Sequence, residues 1–208
     1  MSRIRILATS HYFLPGYKAG GPIRTLSNLV DNLAREFQFS ILCSDRDFGD
    51  SQPYSNLQSQ DWIDCRQARV CYMRSGLRRV LWMIRALRKT SHDVLYLNSL
   101  FDAHFTLLPL LLRRLGLSQA KPVILAPRGE FSLGALGIKK RKKTLFLAVA
   151  KLLGLYRGVI WQASSEYEAA DIRSWMGEKA RIIVAPNLPS NTSISLGGAM
   201  VARRPTEP

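Results

Sequence analysis

Residues 3–34 read RIRILATSHYFLPGYKAGGPIRTLSNLVDNLA, and this stretch decides the fold. It begins with a short apolar run, Ile4–Thr9, which predicts a first strand. A loop over residues 11–21 follows, and Pro22 then stands where a proline is tolerated, in a first helical turn. Apolar residues recur beyond it at helical spacing and predict a helix. They are Ile23, Leu26, Leu29, Val30 and Leu33.

The alternation of strand and helix continues along the chain. Further strands are predicted at residues 39–43, 69–73, 94–97, 122–126, 159–163 and 181–185. Helices are predicted between them, from apolar stripes near Val80, Phe105 and Leu145 and from a helix capped by Ser165. Residues 44–64 are polar and predict a long loop. This pattern predicts an α/β fold, a Rossmann-like parallel sheet with helices on both faces.

Length and composition are typical of a globular domain. The chain has 208 residues, 47% of them apolar, which excludes wholesale disorder. Residues 1–187 are predicted to form one domain, and residues 188–208, which lack an apolar period, a linker or disordered tail. No stretch has the length of a membrane span or of a signal-peptide core. Three cysteines without a CxxC pair favour a reducing compartment, and thus a cytoplasmic location.

Basic charge is concentrated in the middle of the chain. The net charge is +15, and residues 65–157 alone carry 19 basic and three acidic residues. Such a field attracts polyanions, among them phosphates and an anionic membrane surface. The densest part is formed by Lys139, Lys140, Arg141, Lys142 and Lys143. These residues are predicted to contact acidic lipid head groups at the inner face of the membrane, or else to be a solvated turn before a helix. No aromatic residues are interleaved with them, which argues against nucleic acid.

The loop before the first helix is the first candidate site. Adjacent glycines, Gly20 and Gly21, let a ligand approach the backbone, and a helix start offers free N–H groups to a phosphate. The loop has neither the GxGxxG pattern of dinucleotide-binding proteins nor the lysine of a P-loop. The alternative is a tight turn without a ligand.

Several segments together resemble the N-terminal domain of family 4 glycosyltransferases. They are RIRILATSHYFLP, AGGPIRTLSNLVDNLA, SHDVLYLNSLF, VILAPRGEFSLGAL, EYEAADI and IIVAPNLP, in this order over about residues 3–189. The resemblance implies the N-terminal half of a GT-B fold and a retaining transfer from a nucleotide-sugar donor. It also implies a glycan or lipid-linked acceptor, as in surface polysaccharide biosynthesis, and no metal or further cofactor.

The resemblance also assigns candidate binding residues. In the family the glycine loop lies beside the donor phosphates and the acceptor, which implies that role for Gly20 and Gly21. The family often has a histidine after the fifth strand, where this chain has Pro127-Arg128-Gly129-Glu130. Arg128 is expected to bind a phosphate or an acidic sugar, and Glu130 a hydroxyl group. The alternative is a buried ion pair between Arg128 and Glu130.

Other features leave no catalytic residue assigned. The family's second domain carries two glutamates eight positions apart, and no glutamate pair of this chain has that spacing. The donor-binding domain is therefore expected to be missing from this chain or to reside on another one. His11, His92 and His104 lack metal-ligand spacing. Asp45 and Asp47 form a DxD pattern in a polar loop that we interpret as chance.

Two other classes of function stay open. The first is a non-catalytic basic module that binds membrane or polyanion. The second is a nucleotide-dependent oxidoreductase, which the missing GxGxxG pattern disfavours. Whichever class holds, the isolated chain is expected to transfer little or no sugar.

Overall fold

One eight-stranded sheet organises the protein, in the order β3-β4-β2-β1-β5-β6-β7-β8. The computed structural model describes residues 3–55, 61–132, 134–135 and 140–190. Neighbouring strands pair in parallel, except that β3 runs antiparallel to β4 at one edge. The strands are β1 Ile4–Thr9, β2 Phe37–Ser44, β3 Trp62–Cys65, β4 Ala68–Met73, β5 Val94–Asn98, β6 Val123–Ala126, β7 Val159–Ala163 and β8 Arg181–Val184.

Helices cover both faces of this sheet. They are α1 Gly21–Leu33, α2 Arg78–Lys89, α3 Leu108–Arg114, α4 Lys140–Leu152 and α5 Glu166–Met176, and a π-helical turn, Ala103–Leu107, precedes α3. One apolar core packs α1 against one face, through Leu26 and Val30. The other core packs α2, α3, α4 and α5 against the opposite face. The α/β, Rossmann-like fold expected from the sequence is therefore confirmed.

The strand order reverses beside β1, and this reversal positions a cleft. β1 pairs with β2 on one side and with β5 on the other. The connections therefore leave the carboxyl ends of β1 and β5 in opposite directions and leave a crevice between them. Ligands of open α/β sheets bind at such a switch point.

Two predicted elements differ in detail. The polar segment predicted as a loop contains β3, which adds a short antiparallel edge to the sheet. The helix predicted near Phe105 begins earlier, as the π-helical turn, because the Asp102 carboxylate accepts the backbone N–H groups of His104 and Phe105. Pro109 is tolerated because it lies in the first turn of α3.

The last described residues rest on α1. The side-chain amides of Asn28 and Asn32 donate to the backbone carbonyls of Leu188 and Pro189. Residues 191–208 of the predicted tail lie outside the described residues. Among the described residues, no helix is long and apolar enough to cross a membrane.

Candidate functional site

A cleft of about 340 Å³ opens at the carboxyl edge of the sheet, at the switch point between β1 and β5. Residues from the ends of β1, β5 and β6 and from the start of α1 line it. They are Ser10, His11, Tyr12, Pro22, Asn98, Ser99, Phe101, Asp102, Arg128 and Glu130. The structure thus brings together Arg128 and Glu130, and it places Gly20 and Gly21 next to the lining residue Pro22.

Arg128 holds its guanidinium among neutral oxygen atoms. Nε donates to Asn98 Oδ1 at 2.6 Å, Nη2 to the Tyr96 hydroxyl at 2.7 Å, and Nη1 to the side-chain oxygen of Asn187. No carboxylate of the described residues lies within ion-pair distance of this guanidinium. The alternative of an ion pair with Glu130 is therefore wrong. The side chain is thus fixed in place by neutral partners alone.

Glu168 fixes the turn that carries Arg128. The backbone of Arg128 has a φ of 57°, an uncommon conformation for a residue with a side chain. Buried Glu168 accepts the Gly129 N–H at 2.6 Å and both the N–H and hydroxyl of Ser164. Ser165 caps α5, as predicted, by accepting the Glu168 N–H. These bonds join the ends of β6 and β7 and hold the strained turn.

The Glu130 carboxylate binds the turn that follows β5 rather than Arg128. Its carboxylate accepts the Ser99 hydroxyl and the backbone N–H groups of Leu100 and Phe101. Burial raises the pKa of the Glu130 carboxyl above its usual value, although these hydrogen bonds oppose the shift. Ser99 itself has a φ of 105°. Two adjacent strand ends thus hold strained residues at the cleft, a feature common at binding sites.

His11 and Asp102 form a pair in the same cleft. His11 Nδ1 lies 2.8 Å from Asp102 Oδ2, and Asp102 Oδ1 accepts the N–H groups of His104 and Phe105. Burial alone would raise the pKa of Asp102, but the hydrogen bonds from His11 and the backbone hold it below its usual value. The carboxylate is therefore ionised at neutral pH and orients the imidazole.

The glycine loop is anchored from the side by Asp47. Its carboxylate accepts the N–H groups of Tyr17, Lys18 and Phe48 at distances of 2.7–3.1 Å. Burial opposes ionisation of Asp47, yet these backbone hydrogen bonds lower its pKa. Gly20 has a φ of 64°, and an added Cβ would meet nothing within 4 Å at Gly20 or at Gly21. The surface above these two glycines is open.

The predicted basic cluster is only partly free. Arg141 and Lys142 are exposed on α4. Lys143 turns inward, donating to the Ala135 carbonyl at 2.6 Å and lying 5.0 Å from the centre of the Phe101 ring. Lys139 lies outside the described residues, and only the backbone of Lys140 is described.

The basic surface extends beyond that cluster. The three helices α2, α3 and α4, which pack against the same face of the sheet, contain no aspartate or glutamate. They also expose leucines. These are Leu81, Leu111, Leu145 and Leu152. We call the outer side of these three helices the basic helical face.

Sequence reasoning assigned no binding or catalytic role to His11, Asp102 or Asp47. These three residues lie just beyond the ends of strands, where side chains of a parallel sheet reach the cleft, and this position was the available signal. Glu168 belongs to the segment EYEAADI that carries the resemblance, but its hydrogen bond with Gly129 was not predicted, because the two residues are remote in sequence. No group of three or more potential metal ligands occurs among the described residues.

Comparisons with known proteins bear on the fold. No protein-family model matches the sequence, and no curated protein matches it. Sucrose-phosphate synthase from Thermosynechococcus elongatus is similar in structure, with a TM-score of 0.56 and 16% identity over 88% of this chain. HepE of Anabaena, determined in complex with UDP-glucose, gives a TM-score of 0.52 and 15% identity over 93% of this chain. The likeness establishes the fold. This chain spans 48% of each of these proteins.

Proposed function

We propose that this chain is the acceptor-side domain of a glycosyltransferase, which transfers a sugar from a nucleotide-sugar donor to a glycan or lipid-linked acceptor. The observation that carries the proposal is the cleft at the switch point, where neutral oxygen atoms hold the guanidinium of Arg128 and no carboxylate of the described residues lies within ion-pair distance of it. The similarity in fold to two proteins, of which one makes sucrose phosphate by name and one was solved with UDP-glucose, supports it.

Arg128 is proposed to bind a phosphate of the donor or an acidic group of the acceptor. A guanidinium binds such groups through paired, charge-assisted hydrogen bonds. Neutral partners leave the full charge of Arg128 available, whereas an ion pair would have neutralised it. Glu130 is proposed to shape the cleft by holding the turn that follows β5. Its carboxylate is also proposed to accept a hydrogen bond from a hydroxyl group of the sugar.

Gly20 and Gly21 are proposed to lie against the donor phosphates. The first turn of α1 carries no acidic side chain, so its backbone N–H groups offer partial positive charge to an anion. The open space over both glycines admits a ligand to the backbone. Asp47 anchors this loop by accepting the backbone N–H groups of Tyr17 and Lys18.

The basic helical face is proposed to rest on the anionic inner surface of a membrane, where lipid-linked acceptors of surface polysaccharides are found. Exposed leucines beside arginines and lysines suit the boundary between head groups and acyl chains. The same face supports the second candidate, a non-catalytic module that docks on membranes. The two candidates differ in whether the cleft takes part.

Transfer of radiolabelled sugar tests the proposed function. The chain is joined to the donor-binding half of a GT-B glycosyltransferase and given several nucleotide sugars, UDP-glucose among them, with glycan and lipid-linked acceptors. The variant Arg128→Gln is expected to lower transfer about 100-fold, as a lost charged contact in a dry site does. Arg35→Gln, which removes an exposed charge at the far end of α1, is the matched control and is expected to leave transfer unchanged.

The two candidates predict different outcomes. Transfer that depends on Arg128 supports the glycosyltransferase. Vesicle binding without transfer for any donor contradicts the glycosyltransferase and favours the membrane module. Equal transfer by both variants contradicts the proposed role of Arg128.

A further inference from the structure

We propose that the protein has a second binding site, for a phosphate group, at the edge of the sheet opposite the cleft. A pocket of about 640 Å³ lies at the amino ends of β6 and β7. The end of α3 and the segments that lead into these two strands line it. The site is separate from the proposed transfer reaction, because the cleft lies at the carboxyl ends of the strands.

Four basic side chains line this pocket, and no acidic side chain does. They are those of Arg113, Arg114, Lys121 and Arg157. Among the described residues, no carboxylate lies within ion-pair distance of any of them. Lys121 helps to lower the pKa of the Asp93 carboxyl, but both oxygens of that carboxylate already accept hydrogen bonds from Arg5. The pocket therefore attracts an anion.

The basic side chains have hydrogen-bond donors to offer a ligand. Arg113 donates through Nη1 to the Arg157 carbonyl at 2.9 Å, and this bond holds its guanidinium at the pocket. Among the described residues, Nε and Nη2 of Arg113, the Arg157 guanidinium and the Lys121 ammonium group have no hydrogen-bond partner. Guanidinium groups bind phosphate oxygens through paired, charge-assisted hydrogen bonds.

Two glycines let the arginines lie close to the backbone that leads into β7. A Cβ at Gly158 would lie 3.4 Å from Nη2 of Arg113. A Cβ at Gly154 would lie 3.8 Å from Nε of Arg114. Larger residues at these two positions would crowd the guanidinium groups that we expect to bind the ligand.

One polar group of the pocket lacks a partner. Ser118 lines the pocket, and its buried hydroxyl group has no hydrogen-bond partner among the described residues. Buried polar groups of folded proteins normally have one. An oxygen of the proposed ligand gives this hydroxyl group an acceptor.

The helix ends at this edge do not cancel the attraction for an anion. Both α3 and α4 end beside the pocket, and the carboxyl end of a helix carries about half a negative charge. Against these two ends stand four full positive charges, which leaves a balance of about +3. This balance suits a phosphomonoester or a diphosphate, which carries two or more negative charges, better than it suits a single carboxylate.

The phosphate group has two chemical sources to choose between, a lipid and a soluble molecule. Helices α3 and α4 belong to the basic helical face, and the pocket lies where both of them end. A lipid head group bound there would extend the membrane contact of that face. A soluble phosphate or diphosphate would instead be a second ligand, bound away from the cleft.

Titration of the protein with pyrophosphate tests the site. In ¹H–¹⁵N spectra the amides of Gly154 and Gly158 report on the pocket, while the amides of the glycine loop report separately on the cleft. Saturable shifts of Gly154 and Gly158 are expected. The double variant Lys121→Gln, Arg157→Gln is expected to weaken this binding by about 10-fold or more, because two charged donors are lost.

The matched control is Arg24→Gln, Arg35→Gln, which makes the same change of charge in α1 and just beyond its end, on the other face of the sheet. Its affinity for pyrophosphate at the pocket is expected to equal that of the wild type. Circular dichroism checks that both double variants are folded. Absence of saturable shifts at Gly154 and Gly158 in the wild-type protein, or equal weakening by both double variants, would overturn the site.

Flotation with vesicles distinguishes the two sources of the phosphate group. Vesicles of phosphatidylcholine are mixed with phosphatidic acid, which carries a phosphomonoester, or with phosphatidylserine at equal charge. Preference for phosphatidic acid that pyrophosphate abolishes, and that Lys121→Gln, Arg157→Gln lacks, assigns the site to a lipid. Vesicle binding that this variant leaves unchanged, together with the shifts caused by pyrophosphate, assigns it to a soluble ligand. Neither measurement depends on sugar transfer, so a failure of the proposed function and a failure of this site are separate results.

Discussion

Two glycines of the loop after β1 stand in opposite steric surroundings. A Cβ at Gly16 would lie 2.5 Å from the Tyr54 hydroxyl, 2.9 Å from Asp47 Oδ1 and 2.9 Å from the Phe13 carbonyl. The last of these is backbone and has no rotamer with which to move aside. A Cβ at Gly21 would meet nothing within 4 Å. One glycine is needed for packing, and the other leaves space that a ligand can fill.

Replacing each glycine by alanine separates these two roles. Gly16→Ala is expected to lower the free energy of unfolding by about 1–3 kcal/mol, as overpacking does. Gly21→Ala is expected to leave it unchanged or to raise it by up to about 1 kcal/mol, because the unfolded chain loses freedom. Urea unfolding followed by circular dichroism measures both. Equal stabilities of the two variants would contradict the close contact at Gly16.

For single residues, the sequence predicted which positions lie at the site better than it predicted their hydrogen-bond partners. Arg128 was singled out by the family resemblance, because it lies in the segment after the fifth predicted strand where that family often has a histidine. Its partners Tyr96, Asn98 and Asn187 come from remote parts of the chain, so no local pattern predicts these hydrogen bonds. For the same reason the sequence left an ion pair with Glu130 open, which the distances exclude.

The helices α2, α3 and α4 differ from α1 in their outer surface. Side chains between these three helices and the loops that follow them hold the layer together. Arg113 and Arg114 donate to the carbonyls of Arg157 and Leu153, and Gln119 donates to carbonyls at the end of α2. The basic helical face is thus one continuous layer on one side of the sheet, while α1 lies on the other.

Removing charge from either side of the sheet tests the membrane proposal. The double variant Arg141→Gln, Lys142→Gln is expected to bind anionic vesicles about 30-fold more weakly, since each basic residue near the surface contributes roughly 1 kcal/mol. Arg24→Gln, Arg35→Gln makes the same change of charge in α1 and just beyond its C-terminal end, and is the matched control. Flotation with vesicles of anionic and of neutral lipid measures the binding, and added salt is expected to release it.

The exposed leucines make a separate contribution in this proposal. The double variant Leu145→Ser, Leu152→Ser is expected to weaken vesicle binding while the response to salt stays unchanged, because only the apolar part of the contact is lost. Equal binding to neutral and anionic vesicles, or equal loss in the α1 control, would contradict the basic helical face as the contact.

Elements with a clear apolar period were predictable, and those made by tertiary contacts were not. Helix α1 and strands β1 and β5 follow patterns that are local in the sequence. β3 exists because it pairs with β4, although three of its four residues lie in a segment predicted as a polar loop. The π-helical turn likewise depends on the hydrogen bonds of one carboxylate, that of Asp102, and on the Thr9 hydroxyl, which donates to the Phe105 carbonyl.

The extent of the folded unit is a property of the whole chain. We propose, from the composition, that residues 1–187 unfold as one cooperative domain. The described structure carries the contacts two residues further, since the carbonyls of Leu188 and Pro189 accept the amides of Asn28 and Asn32. These bonds attach the segment that follows β8 to the surface of α1.

Limited digestion with a protease of broad specificity tests this boundary. Early cleavage is expected only after Ser190, in the segment rich in serine, glycine, proline and threonine. The product, identified by mass spectrometry, is expected to unfold in urea at the midpoint of the intact chain. Cleavage that begins between residues 80 and 163, with the last residues still attached, would contradict a single cooperative domain.

Catalysis by the proposed enzyme is expected to need groups beyond those that line the cleft. Glycosyl transfer needs the donor diphosphate held and its developing charge stabilised by preorganised groups. It also needs donor and acceptor aligned, which supplies about 7–11 kcal/mol of the barrier. Here Arg128, the glycine loop and His11 lie on one open side of a cleft, and the chain spans 48% of each structural neighbour.

The chain by itself is therefore expected to transfer sugar at least about 1,000-fold more slowly than the chain joined to a donor-binding half, because alignment of the donor is lost. The radiolabel assay compares the two forms at equal concentration, and circular dichroism confirms that both are folded. The Arg128→Gln variant of the joined form separates a cleft that participates from a fusion partner that acts alone. Transfer by the isolated chain at the rate of the joined form would show that one α/β unit suffices to bind donor and acceptor.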